Sequence, residues 1–145
     1  MDEFLEAALE EARQSLTEGG IPIGSVLTQE GRILGRGHNR RVQRGSAVLH
    51  AEMDALESAG RQRAAVYRGS TLYTTLSPCA MCSGAILLYG IRRVVIGENR
   101  TFRGEEELLR SRGVLVEVID DPECAALLAD FVRSHPQIWA EDIGG

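Results

Sequence analysis

Apolar residues recur along the first eighteen positions with the period of a helix. Phe4, Leu5, Ala8, Leu9, Ala12 and Leu16 share one face, with Glu3, Glu6, Glu10, Glu11 and Arg13 opposite. This pattern predicts an amphipathic packing helix over 2–18, capped by Asp2 and ended by Gly19-Gly20. The period then changes. Residues 21–27 predict a strand and 32–37 a second one, joined as a hairpin through Gln29-Glu30-Gly31. Gly35, Gly37 and Gly45 surround His38-Asn39 and allow close backbone approach or unusual dihedrals there.

Further along, 50–59 predicts a helix with Met53 and Leu56 facing the core and Gly60 closing it. Thr71–Thr75 forms the centre of the next strand, with residues 65–67 beside it. Pro78 sits in the first turn of a helix over 79–89 that Gly90 breaks. A strand over 93–97, a short charged helix over 105–112, a strand over 114–119 and a long helix over 122–134 follow. The tail 136–145 has little periodicity and is expected to be irregular. Helix, hairpin, then strands alternating with helices imply an α/β fold: three α/β/α layers around a central mixed sheet of about five strands. With no repeat, linker or low-complexity run, residues 1–145 are expected to form a single domain.

Composition narrows the function. The chain has 145 residues, is 43% hydrophobic and 26% charged, and carries a formal net charge of −5. A length of that order buries roughly two-thirds of the extended-chain surface. The acidic balance offers no general attraction to phosphate backbones, which argues against nucleic acid as substrate. All sixteen basic residues are Arg, a compositional bias. Three cysteines do not make a disulfide framework, so a reducing, cytoplasmic location is expected. Neither a signal peptide nor a membrane span is expected.

The candidate chemistry lies in two short segments. His50-Ala51-Glu52 offers an imidazole and, two residues on, a carboxylate; Pro78-Cys79-Ala80-Met81-Cys82 offers two thiols one helical turn apart. Zn²⁺ favours such nitrogen and sulfur ligands, and a catalytic site stops at three of them to keep a position for water. Thiols at a helix N-terminus feel its positive end, which favours thiolates and metal binding. Either half alone has a plainer reading, as a chance H-x-E or a redox pair. Together they form the H-x-E…P-C-x-x-C signature of zinc deaminases, in which the Glu shuttles protons and does not bind metal. A closed structural site would need a fourth ligand. Cys124 and His135 are the candidates, and neither stands in a paired motif.

From about Leu16 to Gly145 the chain resembles the cytidine deaminase superfamily, and within it the yeast-type cytosine deaminases. The resemblance is carried by Glu18–Gly24, Leu34–Asn39, Leu49–Glu52, Leu72–Cys82, Val95–Asn99 and Trp139–Gly144. It implies one Zn²⁺ per chain on His50, Cys79 and Cys82, with Glu52 as catalytic proton shuttle. It also implies a substrate site in which Asn39 hydrogen-bonds the pyrimidine ring and the backbone of Ala51 and Ser77 faces the base. Asp142 would accept the exocyclic amine from a C-terminal lid, with Ile23, Phe102 and Trp139 as apolar walls. By local chemistry alone Asn39 would cap or turn the chain, and the three apolar residues would be simple core. Val48, Ala51 and Ala140 depart from the branch, which has Thr, Gly and Phe there; these changes bear on which base fits.

The implied reaction is hydrolytic deamination of a free nucleobase, cytosine to uracil plus ammonia, in a homodimer acting in pyrimidine salvage. Glu52 would move protons between water, ring nitrogen and departing amine. The rival readings are a guanine or other heterocycle deaminase and a tRNA adenosine deaminase. For the latter, Arg40, Arg41 and Arg44 could contact RNA, but Ser77 replaces the Glu usual before the Pro. A zinc-stabilised binding module without turnover is the reading from another class, and Glu52 counts against it. The three arginines are expected to form a solvated loop.

Overall fold

The computed structural model describes residues 2–145. Helix α1 (Glu3–Thr17) starts where the side chain of Asp2 accepts the N–H groups of Phe4 and Leu5, as its sequence predicts. Its buried face is Leu5, Ala8, Leu9, Ala12 and Ser15. Leu16, expected inward, is exposed, because the face ends on Ser15, whose hydroxyl donates to the Asn39 carbonyl at 2.7 Å.

Strands β1 (Gly24–Gln29) and β2 (Arg32–His38) form the hairpin. Glu30 and Gly31 at its tip both have positive φ, 51° and 76°, as a two-residue turn matching the strand twist requires. Short helix α2 (Arg41–Arg44) precedes α3 (Ala51–Ala59), and α4 (Ala64–Arg68) leads into β3 (Ser70–Leu76). Residues 65–67, which the sequence placed beside the strand without a conformation, are thus helical. Then come α5 (Ala80–Tyr89), β4 (Arg93–Glu98), α6 (Glu106–Ser111), β5 (Leu115–Val118), α7 (Pro122–Ser134) and α8 (Pro136–Asp142). The tail expected to be irregular contains a helix, and Trp139 packs it against Ile21, Ile23, Leu76 and Phe131.

The sheet order is β2-β1-β3-β4-β5. β1 is antiparallel to β2 and β3, and β3, β4 and β5 run parallel, so the five-stranded sheet is mixed. Alternation along the strands sorts the core onto two faces. Val26, Tyr73 and Val95 meet α1, while Leu27, Leu72, Val94 and Ile96 meet Ile86 of α5 and Leu109 of α6. Cys124 of α7 joins Leu9 and Ala12 on the α1 side. This is the three-layer α/β/α arrangement.

Two glycines seat α3 on β2. A Cβ at Gly35 would lie 2.4 Å from the Ala55 carbonyl oxygen, and one at Gly37 2.5 Å from the Ala55 nitrogen. The buried face of α3 is Ala51, Glu52, Asp54 and Ala55. Leu56 packs against the core cluster as expected, but Met53 is only half-buried and outside it, because small residues are needed where helix backbone meets sheet backbone.

Candidate active site

Two helix N-termini converge beyond the carboxyl ends of the parallel strands, where open α/β sheets bind ligands. His50 is the N-cap of α3 and Cys79 the N-cap of α5, so Pro78 precedes the cap and stands outside the expected first turn. Glu52 lies in the first turn of α3 and Cys82 in that of α5, both buried. One side chain in each pair therefore looks back toward the gap between the helices.

The donor set fits a zinc ion. His50 Nδ1 lies 3.4 Å from Cys79 Sγ and 3.7 Å from Cys82 Sγ. Tetrahedral bonds at the usual Zn–N and Zn–S lengths would put such atoms about 3.6 Å apart. Among the described residues this trio is the one group of three with metal-ligand spacing. Cys124 lies beneath Gly97 and His135 stacks on Phe131, so neither closes the shell. The Cys79 thiol falls to about 4, chiefly through its hydrogen bond from Cys82, and Cys82 is pushed up by that bond and by burial. Burial lowers the His50 imidazole, but Asp142 and Cys79 outweigh it and raise it to about 10. A metal at these three atoms takes the place of those shared protons.

The second nitrogen of His50 faces the C-terminal helix. Nε2 lies 3.1 Å from the Asp142 carbonyl oxygen and 3.5 Å from its carboxylate. With Nδ1 turned to the sulfurs, Nε2 carries the hydrogen and donates, which fixes the ring. Asp142 also accepts from Asn39 Nδ2 on both oxygens and from Arg41 Nη1 at 2.9 Å. Burial raises the Asp142 carboxyl, but the bonds from His50, Arg41 and Asn39 hold it below the ordinary value. Glu52 has no such support. Burial raises it to about 7, with His50 pulling partly the other way.

Ile23, Asn39, His50, Ala51, Glu52, Ser77, Cys79, Phe102, Trp139 and Asp142 line one narrow pocket. Cys82 lies beneath it, buried. Leu76 and Ile143 also line it; the sequence reading missed both, although each is adjacent to a residue it named. Ile23 and Trp139 are core and wall at once. Of the three departures only Ala51 faces the pocket; Val48 is half exposed and, with Ala140, lies off its lining.

Two further residues escaped sequence reasoning. Glu106, almost fully buried in α6, accepts from the Ser77 hydroxyl at 2.7 Å and from Asn99 Nδ2. Gly104 N–H donates to the same hydroxyl at 2.9 Å, and a Cβ on Gly104 would lie 1.8 Å from the Pro78 oxygen. The loop that carries Phe102 is thereby pinned against the Ser77-Pro78 corner. The other is Arg41. The expected solvated loop is in fact tied down: Arg40 Nε meets Asp54 at 2.7 Å and Arg41 meets Asp142, leaving Arg44 exposed. No local signal marks either residue, because a charged side chain at a helix start is ordinarily solvent-facing.

No helix among the described residues is long and apolar enough to cross a membrane. Residues 1–98 match the family model described as the cytidine and deoxycytidylate deaminase zinc-binding region. The chain is 55% identical to a cytosine deaminase of Candida albicans, over 97% of this chain and 94% of the relative. It is 44% identical to a tRNA-specific adenosine deaminase of Streptococcus pyogenes, covering 90% and 88%. A structure from a study of A-to-I editing by tRNA:A34 deaminases superposes with a TM-score of 0.74 at 31% identity, covering 87% of this chain and 99% of that one. With the paired motifs facing one another across a zinc-spaced gap, the chain belongs to the zinc-binding cytidine and deoxycytidylate deaminase family.

Proposed function

We infer that the protein hydrolyses cytosine to uracil and ammonia, with residues 1–145 acting as one zinc-dependent deaminase unit. The observation that carries this is the covering of the pocket by α8, which brings Trp139 and Asp142 over Glu52 and the metal ligands. The enclosure suits a single heterocycle better than a base on a polynucleotide, and the Candida albicans cytosine deaminase is similar over nearly the whole length.

When bound, zinc supplies a Lewis acid that makes hydroxide available near neutral pH. His50, Cys79 and Cys82 hold it. Glu52 takes a proton from the attacking water and gives it to the ring nitrogen beside the reacting carbon. It later carries the remaining proton of the added hydroxyl to the amine; the C–N bond breaks, the carbonyl forms and ammonia leaves. A buried carboxyl raised to about 7 is suited to both steps. Asp142 accepts an N–H of the exocyclic amine, Asn39 bonds the ring, and the backbone of Ala51 and Ser77 faces the base. Ile23, Phe102 and Trp139 exclude water and hold the ring flat. Groups held in place before the substrate arrives contribute through orientation.

The enzyme works as a homodimer in the reducing cytoplasm, in keeping with its three free cysteines. Ammonia release measured on cytosine, guanine, cytidine and a tRNA tests the assignment. Cytosine is expected to give the highest kcat/KM. Faster release from guanine or tRNA would overturn the choice of base.

A further inference from the structure

Arg41 belongs to neither the zinc motif nor the pocket lining, yet it holds the pocket's cover. Its backbone N–H donates to Asn39 Oδ1 at 3.0 Å and its Nε to the Ala47 carbonyl at 3.1 Å. Its Nη1 donates to the Glu141 carbonyl at 3.2 Å and to Asp142 Oδ1 at 2.9 Å. A single residue thus braces both ends of the loop between β2 and α3 and ties that loop to the end of α8. The Asp142 side chain is 2% exposed and that of Arg41 25%, so the pair is shielded from the water that weakens surface ion pairs.

The two carboxylate oxygens of Asp142 are used unequally. Asn39 bonds both, but Arg41, which does not line the pocket, takes Oδ1, while His50, which does, lies 3.5 Å from Oδ2. Asn39 can turn its amide toward a bound base, whereas Arg41 has no pocket face and can stay on Oδ1 throughout. The planar guanidinium suits this task because it reaches a backbone carbonyl and a carboxylate together while bracing the Ala47 carbonyl. An ammonium would have to choose among them.

We propose that Arg41 is a positioning residue that latches α8 over the pocket. It keeps Asp142 Oδ1 engaged so that Oδ2 stays aimed at the exocyclic amine, and it governs how often the cover lifts to admit base and release product. The role assigned to Asp142 rests on the cytosine reading above; the latch itself does not.

Trp139 in α8 is the only tryptophan of the chain, so its fluorescence reports the cover directly. Arg41→Ala, Arg41→Lys, Asp142→Ala and the double Arg41→Ala/Asp142→Ala variant are compared with the parent, with Arg44→Ala as control. Acrylamide quenching of Trp139, kcat and KM on cytosine, zinc content and Tm are measured for each. Arg41→Ala is expected to keep its zinc, to make Trp139 more quenchable and to lose roughly ten- to a hundredfold in kcat/KM, as misplacement of a substrate-orienting group does. Arg41→Lys should fall between, the double variant should lose less than the product of the two single losses, and Arg44→Ala should match the parent.

Parental quenching and kcat/KM in Arg41→Ala would overturn the latch. So would a double variant whose losses multiply, because Arg41 would then act independently of Asp142. If Arg41→Ala does not fold, Arg41→Lys carries the same test, and parental behaviour there overturns the proposal. If cytosine proves not to be the substrate, increased quenching in the variants still upholds the latch.

Discussion

Asn39 Nδ2 donates to both carboxylate oxygens of Asp142, at 3.2 and 3.1 Å, across 103 residues of chain. The two residues stand in different elements, the end of the hairpin and the last helix, and both are buried. A polar pair so enclosed is worth keeping only if it is fully bonded, and here Arg41 and His50 complete its shell. Such a pair orders one wall of the pocket.

Asp142→Ala removes the carboxylate and nothing of the core. A hydrogen bond to a charged group contributes about 1.5–3 kcal/mol, so kcat/KM on cytosine should fall roughly ten- to a hundredfold with zinc and circular dichroism unchanged. Deleting residues 138–145 is a harsher change, because Ile138 and Trp139 pack on the cluster of Ile21, Ile23, Leu76 and Phe131. That deletion should lower Tm as well as activity. Parental kcat/KM in either variant would rule out a role for α8 at the site.

The metal assignment is tested by removal of a ligand. Cys82→Ala is expected to lose its zinc and its turnover together, since two remaining donors cannot complete a catalytic shell. Elemental analysis gives the answer. A full complement of one zinc per chain in Cys82→Ala would mean that other residues bind it.

Glu52→Gln keeps the shape of the buried side chain while removing its proton chemistry. It should retain fold and zinc and lose activity by ~10²-fold or more. Steady-state rates beside zinc content separate the two roles, and a rate near the parent's would exclude Glu52 as the shuttle.

Association of two copies should use α5. Leu88 is 75% exposed and Tyr89 41%, beside a groove that Met53, Leu56 and Tyr67 also line. Leu88→Arg is expected to convert a dimer into a monomer in light scattering at micromolar concentration. A parent that already runs as a 15.8 kDa species would dispose of the dimer.

His38 should make stability depend on pH. Its ring nitrogens lie 2.8 Å from Glu11 and from Glu18, with Arg36 and Arg40 nearby on the same side. Burial lowers the imidazole and Arg40 opposes its charge, but the two carboxylates prevail and its pKa is raised. A raised pKa means the charged imidazole stabilises the fold fully below the ordinary histidine value near 6.5 and loses that contribution as pH climbs through the folded value. Denaturant unfolding should therefore show stability falling above about pH 6.5 in the parent. In His38→Gln that slope should flatten, and an unchanged slope would assign it elsewhere. At the acid end the sign reverses. Glu11 is lowered mainly by His38, and Glu18 to about 2 mainly by its bond from Gln14, so both lose stability as pH drops below the ordinary carboxylate range.

Local spacing determined the chemistry of this chain. His50 and Glu52 at a helix start, and Cys79 and Cys82 one turn apart at another, have their geometry set within a few residues, so the zinc trio and its neighbouring carboxylate were legible before any fold. Hydrophobic period likewise marked α1 and α7, because each must bury a stripe whatever surrounds it, while turn residues marked the hairpin and Pro78 and Gly90 bracketed α5. The tertiary structure decided the rest. Helices α2, α4 and α8 are four, five and seven residues long, too short to announce themselves by period, and they form because neighbours dock against them. Leu16 turned outward and Met53 reached only half burial where Ser15 and the small residues of α3 were the better fit to the sheet. The pairing of Arg41 and Asn39 with Asp142, and of Glu106 with Ser77, joins residues far apart along the chain, and only folding brings their complementary charges and hydrogen-bonding groups together in one buried place.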